Sequence, residues 1–164
     1  MPNWCEGIMK IRGTKENVAK FFKEGVHTYN WGRKADNSDA YEIDSDGLIV
    51  DDSDKYMLDV IIKNDAYIEG TSRAFILSDY YDMCFEYNDE PTICIFGFKQ
   101  AWGIRADEFV PISKKYNLDF RFNGYEGGMC FEELVEIING EITKDETIEY
   151  EDWNWECPRP DLGG

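Results

Sequence analysis

The sequence predicts an α+β domain, with two helices packed on an antiparallel sheet extended by hairpins. Three observations predict it. Short runs that alternate apolar and polar residues recur from Ile8-Met9-Lys10-Ile11-Arg12 to Leu118-Asp119-Phe120-Arg121-Phe122-Asn123, as half-buried strands require. Two stretches, one after Gly13 and one ending at Tyr116, carry apolar residues at helical spacing. Turn signals, among them Asp46-Gly47 and Asn139-Gly140, separate the strand-like runs as hairpins require.

The first strand follows the aromatic anchor Trp4 and ends at Gly13. Thr14 is a good N-cap, Glu16 lies in the first helical turn, and Val18, Phe21 and Phe22 form one apolar stripe before Gly25 stops the helix. Val26 to Asp39 lacks periodicity and reads as a connection. Tyr41 to Val50 reads as a hairpin about Ser45-Asp46-Gly47, and Asp51, Asp52 and Ser53 or Asp54 as caps of a short helix through Met57, Val60 and Ile61. Ala66–Glu69 and Arg73–Leu77 are strand-like pieces split by Gly70-Thr71. Met83–Tyr87 and Thr92–Phe98 flank the turn Asn88-Asp89-Glu90-Pro91 and read as an antiparallel pair at the sheet centre.

The second helix is expected over Asp107–Tyr116, with Phe109, Ile112 and Tyr116 inward and Pro111 in the first turn, where its missing N–H costs little. Leu118–Asn123 is the next strand, turned by Tyr125-Glu126-Gly127-Gly128. Met129–Ile138 and Glu141–Tyr150 then form a hairpin about Asn139-Gly140. Residues 1–151 read as one domain. Residues 152–164, with Trp153, Trp155, Pro158 and Pro160, read as an extended tail with at least one tryptophan docked and the last residues loose.

At 164 residues and 43% hydrophobic content the chain is long and apolar enough for one real core. No apolar run has the roughly 18 to 20 residues of a membrane helix, and the N-terminus lacks signal-peptide character, so a cytoplasmic protein is expected. Cys5, Cys84, Cys94, Cys130 and Cys157 are odd in number and contain no C-x-x-C pair, which points to reduced thiols; Cys5, Cys94 and Cys130 fall in expected strands as small apolar side chains.

The excess of 34 acidic over 17 basic residues is unevenly spread. Residues 1–34 hold 3 acidic and 7 basic side chains, 35–69 hold 11 and 2, and 129–164 hold 11 and 2. Such a chain repels phosphate and anionic membrane over most of its surface and attracts lysine- and arginine-rich proteins.

Pro2-Asn3-Trp4-Cys5, with Gly13 closing the first strand, resembles the start of the YubB-type ferredoxin-like proteins of bacteriophages, prophages and plasmids. The block Phe96-Gly97-Phe98-Lys99-Gln100-Ala101-Trp102-Gly103, the helix to Tyr116, the strand Leu118–Asn123 and Tyr125-Glu126-Gly127-Gly128 are similar to that family in order. The proline pair that follows Ala-Trp in the family is replaced here by Gly103-Ile104-Arg105. The resemblance implies a ferredoxin-like core and a mobile-element setting, and it implies no catalytic residues.

The residue patterns that carry chemistry are few. Asp44-Ser45-Asp46-Gly47 has the alternating oxygens and glycine of a calcium loop, but the frame puts Ser53 where the bidentate glutamate belongs, so a solvated turn is expected. His27 is the sole histidine and reads as structural. Gly124, Gly127 and Gly128 precede a strand, not a helix, which favours a turn over a phosphate cradle. Trp4, Trp102, Trp153 and Trp155 invite comparison with base-stacking RNA modules, yet the central strands carry few cations; Lys10, Arg12, Lys15, Lys20, Lys23, Arg33 and Lys34 form the one possible basic patch.

What remains is carboxylates standing in for phosphates. The sequence therefore leads to a non-enzymatic, acidic phage or mobile-element accessory protein that binds and inhibits a basic nucleic-acid-handling host protein, as an anti-defence nucleic-acid mimic. Its partner-binding residues are Asp44, Asp46, Asp51, Asp52 and Asp54 in a first block, and Glu141, Asp145, Glu146, Glu149, Glu151 and Asp152 in a second, with Glu149 and Glu151 on one strand face roughly 7 Å apart. No cofactor, metal, direct nucleic acid or membrane is expected. The alternatives are a small-molecule or metal-dependent enzyme with a carboxylate-lined pocket, or a plain structural or assembly module.

Overall fold

The computed structural model describes residues 2–33, 39–86 and 90–164. Its scaffold is an antiparallel sheet of eight strands in the order β13-β12-β11-β1-β10-β8-β7-β2. In chain order these are β1 (Trp4–Gly13), β2 (Val26–His27), β7 (Ala66–Ile68), β8 (Ala74–Ile76), β10 (Thr92–Ala101), β11 (Asp119–Glu126), β12 (Phe131–Ile138) and β13 (Glu141–Glu149). A two-stranded sheet pairs β3 (Tyr29–Arg33) with β4 (Asp39–Ile43). A three-stranded sheet orders β5 (Leu48–Asp51), β6 (Met57–Ile62) and β9 (Asp79–Cys84) as β5-β6-β9. The helices are α1 (Lys15–Gly25), α2 (Ala106–Tyr116) and the single turn α3 (Trp153–Glu156).

The expected ferredoxin-like α+β architecture, two helices on one sheet extended by hairpins, is corrected. The protein is mainly β, about 48% strand against 18% helix, with a third helix and strands that build sheets of their own. The cause lies between Val26 and Ile62, where five short strands replace what reads as a connection, a hairpin and a helix; β7 and β8 fall where strand-like pieces are expected. Met57–Ile62 shows why. Leu58, Val60 and Ile62 are buried at every second position, so the packing that forms follows the two-residue period and overrides the helical spacing of Met57, Val60 and Ile61. Asp54 caps no helix; its Oδ1 accepts the backbone N–H groups of Tyr56 and Met57 at 2.8 and 2.9 Å and so bends the chain into β6. The expected hairpin about Asp46-Gly47 also fails, because β4 pairs with β3 and β5 with β6. Nor do Met83 and Thr92–Phe98 pair: β9 joins β6, and β10 lies between β1 and β8. The expected strand end and turn at Tyr87-Asn88-Asp89 lie outside the described residues.

Elsewhere local chemistry is read directly. Thr14 caps α1, its Oγ1 accepting from Asn17 N–H at 3.3 Å. α2 ends on Asn117 in the left-handed conformation, and Pro111 sits in its second turn, one turn deeper than expected, where its missing N–H withdraws the donor a helix offers the Asp107 carbonyl. Asn139 and Gly140, both at positive φ, close the β12–β13 hairpin.

One face of the large sheet is covered. Met9 and Ile11 of β1, Phe96 and Phe98 of β10, Phe120 and Phe122 of β11, and Val135 and Ile137 of β12 meet α1 through Phe21 and Phe22 and α2 through Phe109, all buried. Phe109 contacts Phe98, Phe120 and Phe122 at ring-centroid distances of 6.1, 5.8 and 4.5 Å. At Gly7 a Cβ would lie 2.0 Å from the Asn123 carbonyl oxygen, so β1 and β11 approach closely only with glycine there. The opposite face carries Arg12 paired with Asp119 at 2.6 Å, and the exposed Ile8, Ile93 and Ile95. The C-terminal residues are not loose: Trp4 and Gly164 exchange backbone hydrogen bonds of 3.2 Å in each direction. Among the described residues no helix is long and apolar enough to cross a membrane.

Candidate functional site

The two acidic blocks have different fates. The first is fastened to α1. Lys23 Nζ pairs with Asp52 Oδ2 at 2.6 Å, and Lys15 Nζ donates to the backbone carbonyls of Asp52, at 2.9 Å, and Asp54. Asp51 accepts from Ser53 N–H at 3.0 Å, and Asp44 from Asp46 N–H at 3.1 Å. These bonds hold three carboxyls below the usual range: Asp51 through Ser53, Asp52 through the Lys23 ammonium, and Asp54 through the Tyr56 and Met57 N–H groups. Of this block only Asp46 makes no side-chain bond among the described residues. Of the N-terminal basic patch, Lys15 and Lys23 are committed to these contacts and Arg12 to Asp119, Lys10 and Lys20 make no ion pair among the described residues, and the side chains of Arg33 and Lys34 lie outside the described residues.

The second block is the free edge of the large sheet. β13 has β12 on one side and no strand on the other among the described residues, so its outer N–H and C=O groups are unpaired. Register against β12 sets the directions of its side chains. Asp145 and Glu149 stand opposite Val135 and Phe131 on the helix-covered side, and Glu141 and Glu146 opposite Ile138 and Leu134 on the other. All four are exposed, and Lys144, 3.2 Å from Glu146, is the one cation of the strand. Ile142 and Ile148 are exposed among them. The expected Glu149–Glu151 pair on one strand face is corrected: β13 ends at Glu149, and the N–H groups of Glu151 and Asp152 turn to Glu156 Oε2, each at 3.1 Å. Asp152 is then the residue from which α3 starts. α1 packs on β5 and β6, α2 on β12 and β13, and the helices on each other, so both helices stand between the two blocks.

Two acidic residues missed in the sequence, Glu126 and Glu132, are buried, and a third, Glu133, is half-buried. Glu126, 1% exposed, accepts from Gly128 N–H at 2.8 Å and Met129 N–H at 2.6 Å, which fills the Gly127-Gly128 turn with a carboxylate and leaves no phosphate cradle. Glu132 accepts from Asn123 Nδ2 at 2.7 Å and from the Tyr150 hydroxyl at 2.5 Å, and that bond pushes the Tyr150 phenol up. Glu133 accepts from Ile104 N–H at 2.5 Å and lies 3.7 Å from Cys5 Sγ; burial raises its carboxyl, and burial with the nearby Glu133 raises the Cys5 thiol. The signal that could have found one of them is alternation, since adjacent Glu132 and Glu133 in a strand must point to opposite faces.

The remaining candidates take structural places. The Asp44–Gly47 turn packs on Thr28, whose Oγ1 donates to the Asp44 carbonyl at 2.8 Å. Among the described residues no three His, Cys, Asp or Glu side chains are grouped to hold a metal. His27 Nε2 lies 3.4 Å from Glu69 Oε2. Burial pushes the Cys94 thiol up to about 12, whereas Cys130, expected in a strand, occupies a turn at positive φ because the chain reverses there into β12. Trp102 and Trp155 are exposed, and Trp153 leans on Tyr150 with its Nε1 donating to the Pro160 carbonyl at 3.2 Å. Of these four tryptophans, Trp4 sits beside cations, Arg73 and Lys99.

Comparison with family models, curated proteins and solved structures finds no match to this chain.

Proposed function

We propose that the chain is a non-enzymatic, cytoplasmic accessory protein of a phage or mobile element that captures a basic nucleic-acid-handling protein along β13 and blocks it by occupying its phosphate-gripping lysines and arginines. The observation that carries the reading is the acidic edge: a nine-residue strand, unpaired along its outer side, with exposed carboxylates on both faces. On the helix-covered face Asp145 and Glu149 stand four residues apart, roughly 13 Å along the strand. Exposed Ile142 and Ile148 offer apolar anchors within the charge, and an extended basic segment docked there also satisfies the unpaired backbone groups. The mobile-element setting rests on the resemblance to YubB-type proteins. This reading gives the first block no such role, because Asp52 already holds Lys23 and Asp44, Asp51 and Asp54 accept backbone N–H groups of their own turns, which leaves Asp46 alone of the block without a side-chain bond among the described residues.

The test compares wild type with a variant carrying Glu141→Gln, Asp145→Asn, Glu146→Gln and Glu149→Gln. Tagged protein is used to capture host proteins at low and high salt, and each captured protein is assayed for nucleic-acid binding. The expected result is a nucleic-acid-binding protein retained by wild type at low salt, released at high salt, prevented from binding nucleic acid while held, and lost with the variant. Capture that survives neutralisation, or a held partner that still binds nucleic acid at full strength, refutes the reading.

A further inference from the structure

Away from the acidic edge, on the face of the sheet opposite the helices, lies a cavity of about 630 Å³ whose lining reverses the protein's charge. Among the described residues, Lys63, Arg73 and Lys99 contribute cations and Asp65 the one carboxylate, beside Trp4, Phe75, Tyr29, Asn64 and Ser78. Register explains the assembly. Lys99 of β10 stands opposite Phe75 of β8, and Trp4 begins β1 two residues before Glu6, the cross-strand neighbour of Lys99, which lies outside the lining. The three side chains therefore project from adjacent strands on one face, with Trp4 edge-on to Phe75 at 5.8 Å.

The cations are not equivalent. Lys99 is committed: its Nζ pairs with Asp65 Oδ2 at 2.5 Å and lies 5.1 Å from the Trp4 ring centroid, while Asp65 Oδ1 accepts Ser78 N–H at 2.9 Å. Arg73 has its guanidinium 5.5 Å from the same ring and, like Lys63, makes no side-chain hydrogen bond or ion pair among the described residues. Arg73 and Lys63 are two of several cations without a carboxylate among the described residues, and what sets them apart is that they stand together at the rim of one aromatic-walled cavity. Arg73 is also held at φ 60°, a conformation uncommon outside glycine, asparagine and aspartate, which sets its side chain over Trp4.

We infer that this cavity binds a phosphorylated planar ring, a mononucleotide, with the phosphate on Arg73 and Lys63, the ring against Trp4 and Tyr29, and the Asn64 amide on the ring's polar edge. A guanidinium takes phosphate through two parallel N–H bonds, and a volume of this size suits a ligand of nucleotide dimensions. Polynucleotide is disfavoured, since the surrounding field of a −17 chain repels a charged strand far more than one phosphate. The inference is independent of the acidic edge.

Calorimetric titration of the full chain with AMP, GMP, CMP and UMP, and with adenosine and ribose 5-phosphate as fragments, tests it. At least one mononucleotide binds at millimolar concentration or better, and for AMP each fragment binds about tenfold more weakly, because each lacks one half of the recognised chemistry. Arg73→Gln and Lys63→Gln each weaken binding about tenfold; both side chains are exposed, so the fold is kept, and amide spectra of wild type with the bound nucleotide place the shifts at Trp4, Asn64 and Ser78 whatever the variants do. No heat from any of the four nucleotides, fragments that bind as well as AMP, or shifts that avoid the cavity overturns the inference.

Discussion

Glu126→Ala removes the carboxylate that ties the turn between β11 and β12. The side chain is 1% exposed and both oxygens are used, one on Gly128 N–H and one on Met129 N–H. Two bonds to a charged acceptor, each worth about 1.5–3 kcal/mol, set an upper limit near 6 kcal/mol. Gly128 and Met129 themselves are exposed, so water entering the vacated space restores part of this, and removing a buried charge relieves its desolvation. The net expectation is a loss of about 2–4 kcal/mol. Glu126→Gln keeps one acceptor and sets an NH₂ against the other N–H, so it falls between, at about 1–2 kcal/mol. Urea unfolding with unchanged slope measures both. Hydrogen exchange adds a local readout, because the Cβ position of Gly163 lies 2.3 Å from the Tyr125 carbonyl and the Trp4–Gly164 bonds run alongside; exchange at Trp4 and Gly164 should quicken in the alanine variant. A Glu126→Ala loss under about 1 kcal/mol, or a glutamine variant as stable as wild type, shows that the carboxylate does not clamp the turn.

Glu133 gives a pH dependence of opposite sign to that of the exposed aspartates. Its carboxyl is raised in the fold by burial, so its contribution to stability is full below the ordinary value of 4.5 and is lost as pH rises through the folded value. Glu133→Gln keeps an acceptor for Ile104 N–H without the charge; its thermal midpoint relative to wild type should improve from acid to neutral pH, and a pH-independent difference refutes the assignment. Phe109→Ala empties the contact among Phe98, Phe120 and Phe122 and should cost about 3–5 kcal/mol, a fall of roughly 6–20 °C in Tm for a chain of this size. Scanning calorimetry checks it, and a fall of under about 3 °C means that α2 is not packed as described.

Local signals were legible in the sequence wherever one residue type decides a conformation. Thr14 at the start of α1, Asn139-Gly140 between β12 and β13, and the alternation of Phe120 and Phe122 each carry their own instruction, and each is found in place. The fold class was not legible, because strands of two to six residues between Val26 and Cys84 are assigned by what they pair with, and pairing is a long-range property. Met57–Ile62 fits both periods over so short a span. The candidate site was legible as composition and not as geometry. Charge counting finds both acidic blocks equally, while the contacts of Lys15 and Lys23 with the first are fixed by how α1 lies on β5 and β6.

Those contacts determine how the charge can act. A carboxylate that already holds Lys23 must lose that bond before it can hold a partner's lysine, so its net attraction for a partner is reduced by what the internal pair supplies. For exposed pairs this is about 0.2–1 kcal/mol each. The carboxylates of β13 give up little beyond water, Lys144 excepted, and they sit beside backbone groups that also lack partners. Equal acidity in the sequence therefore becomes unequal capacity in the structure. With signs reversed, Lys99 differs from Arg73 and Lys63 in the same way: its pair with Asp65 makes it a strut of the cavity wall and leaves the other two as the groups with attraction available for a phosphate.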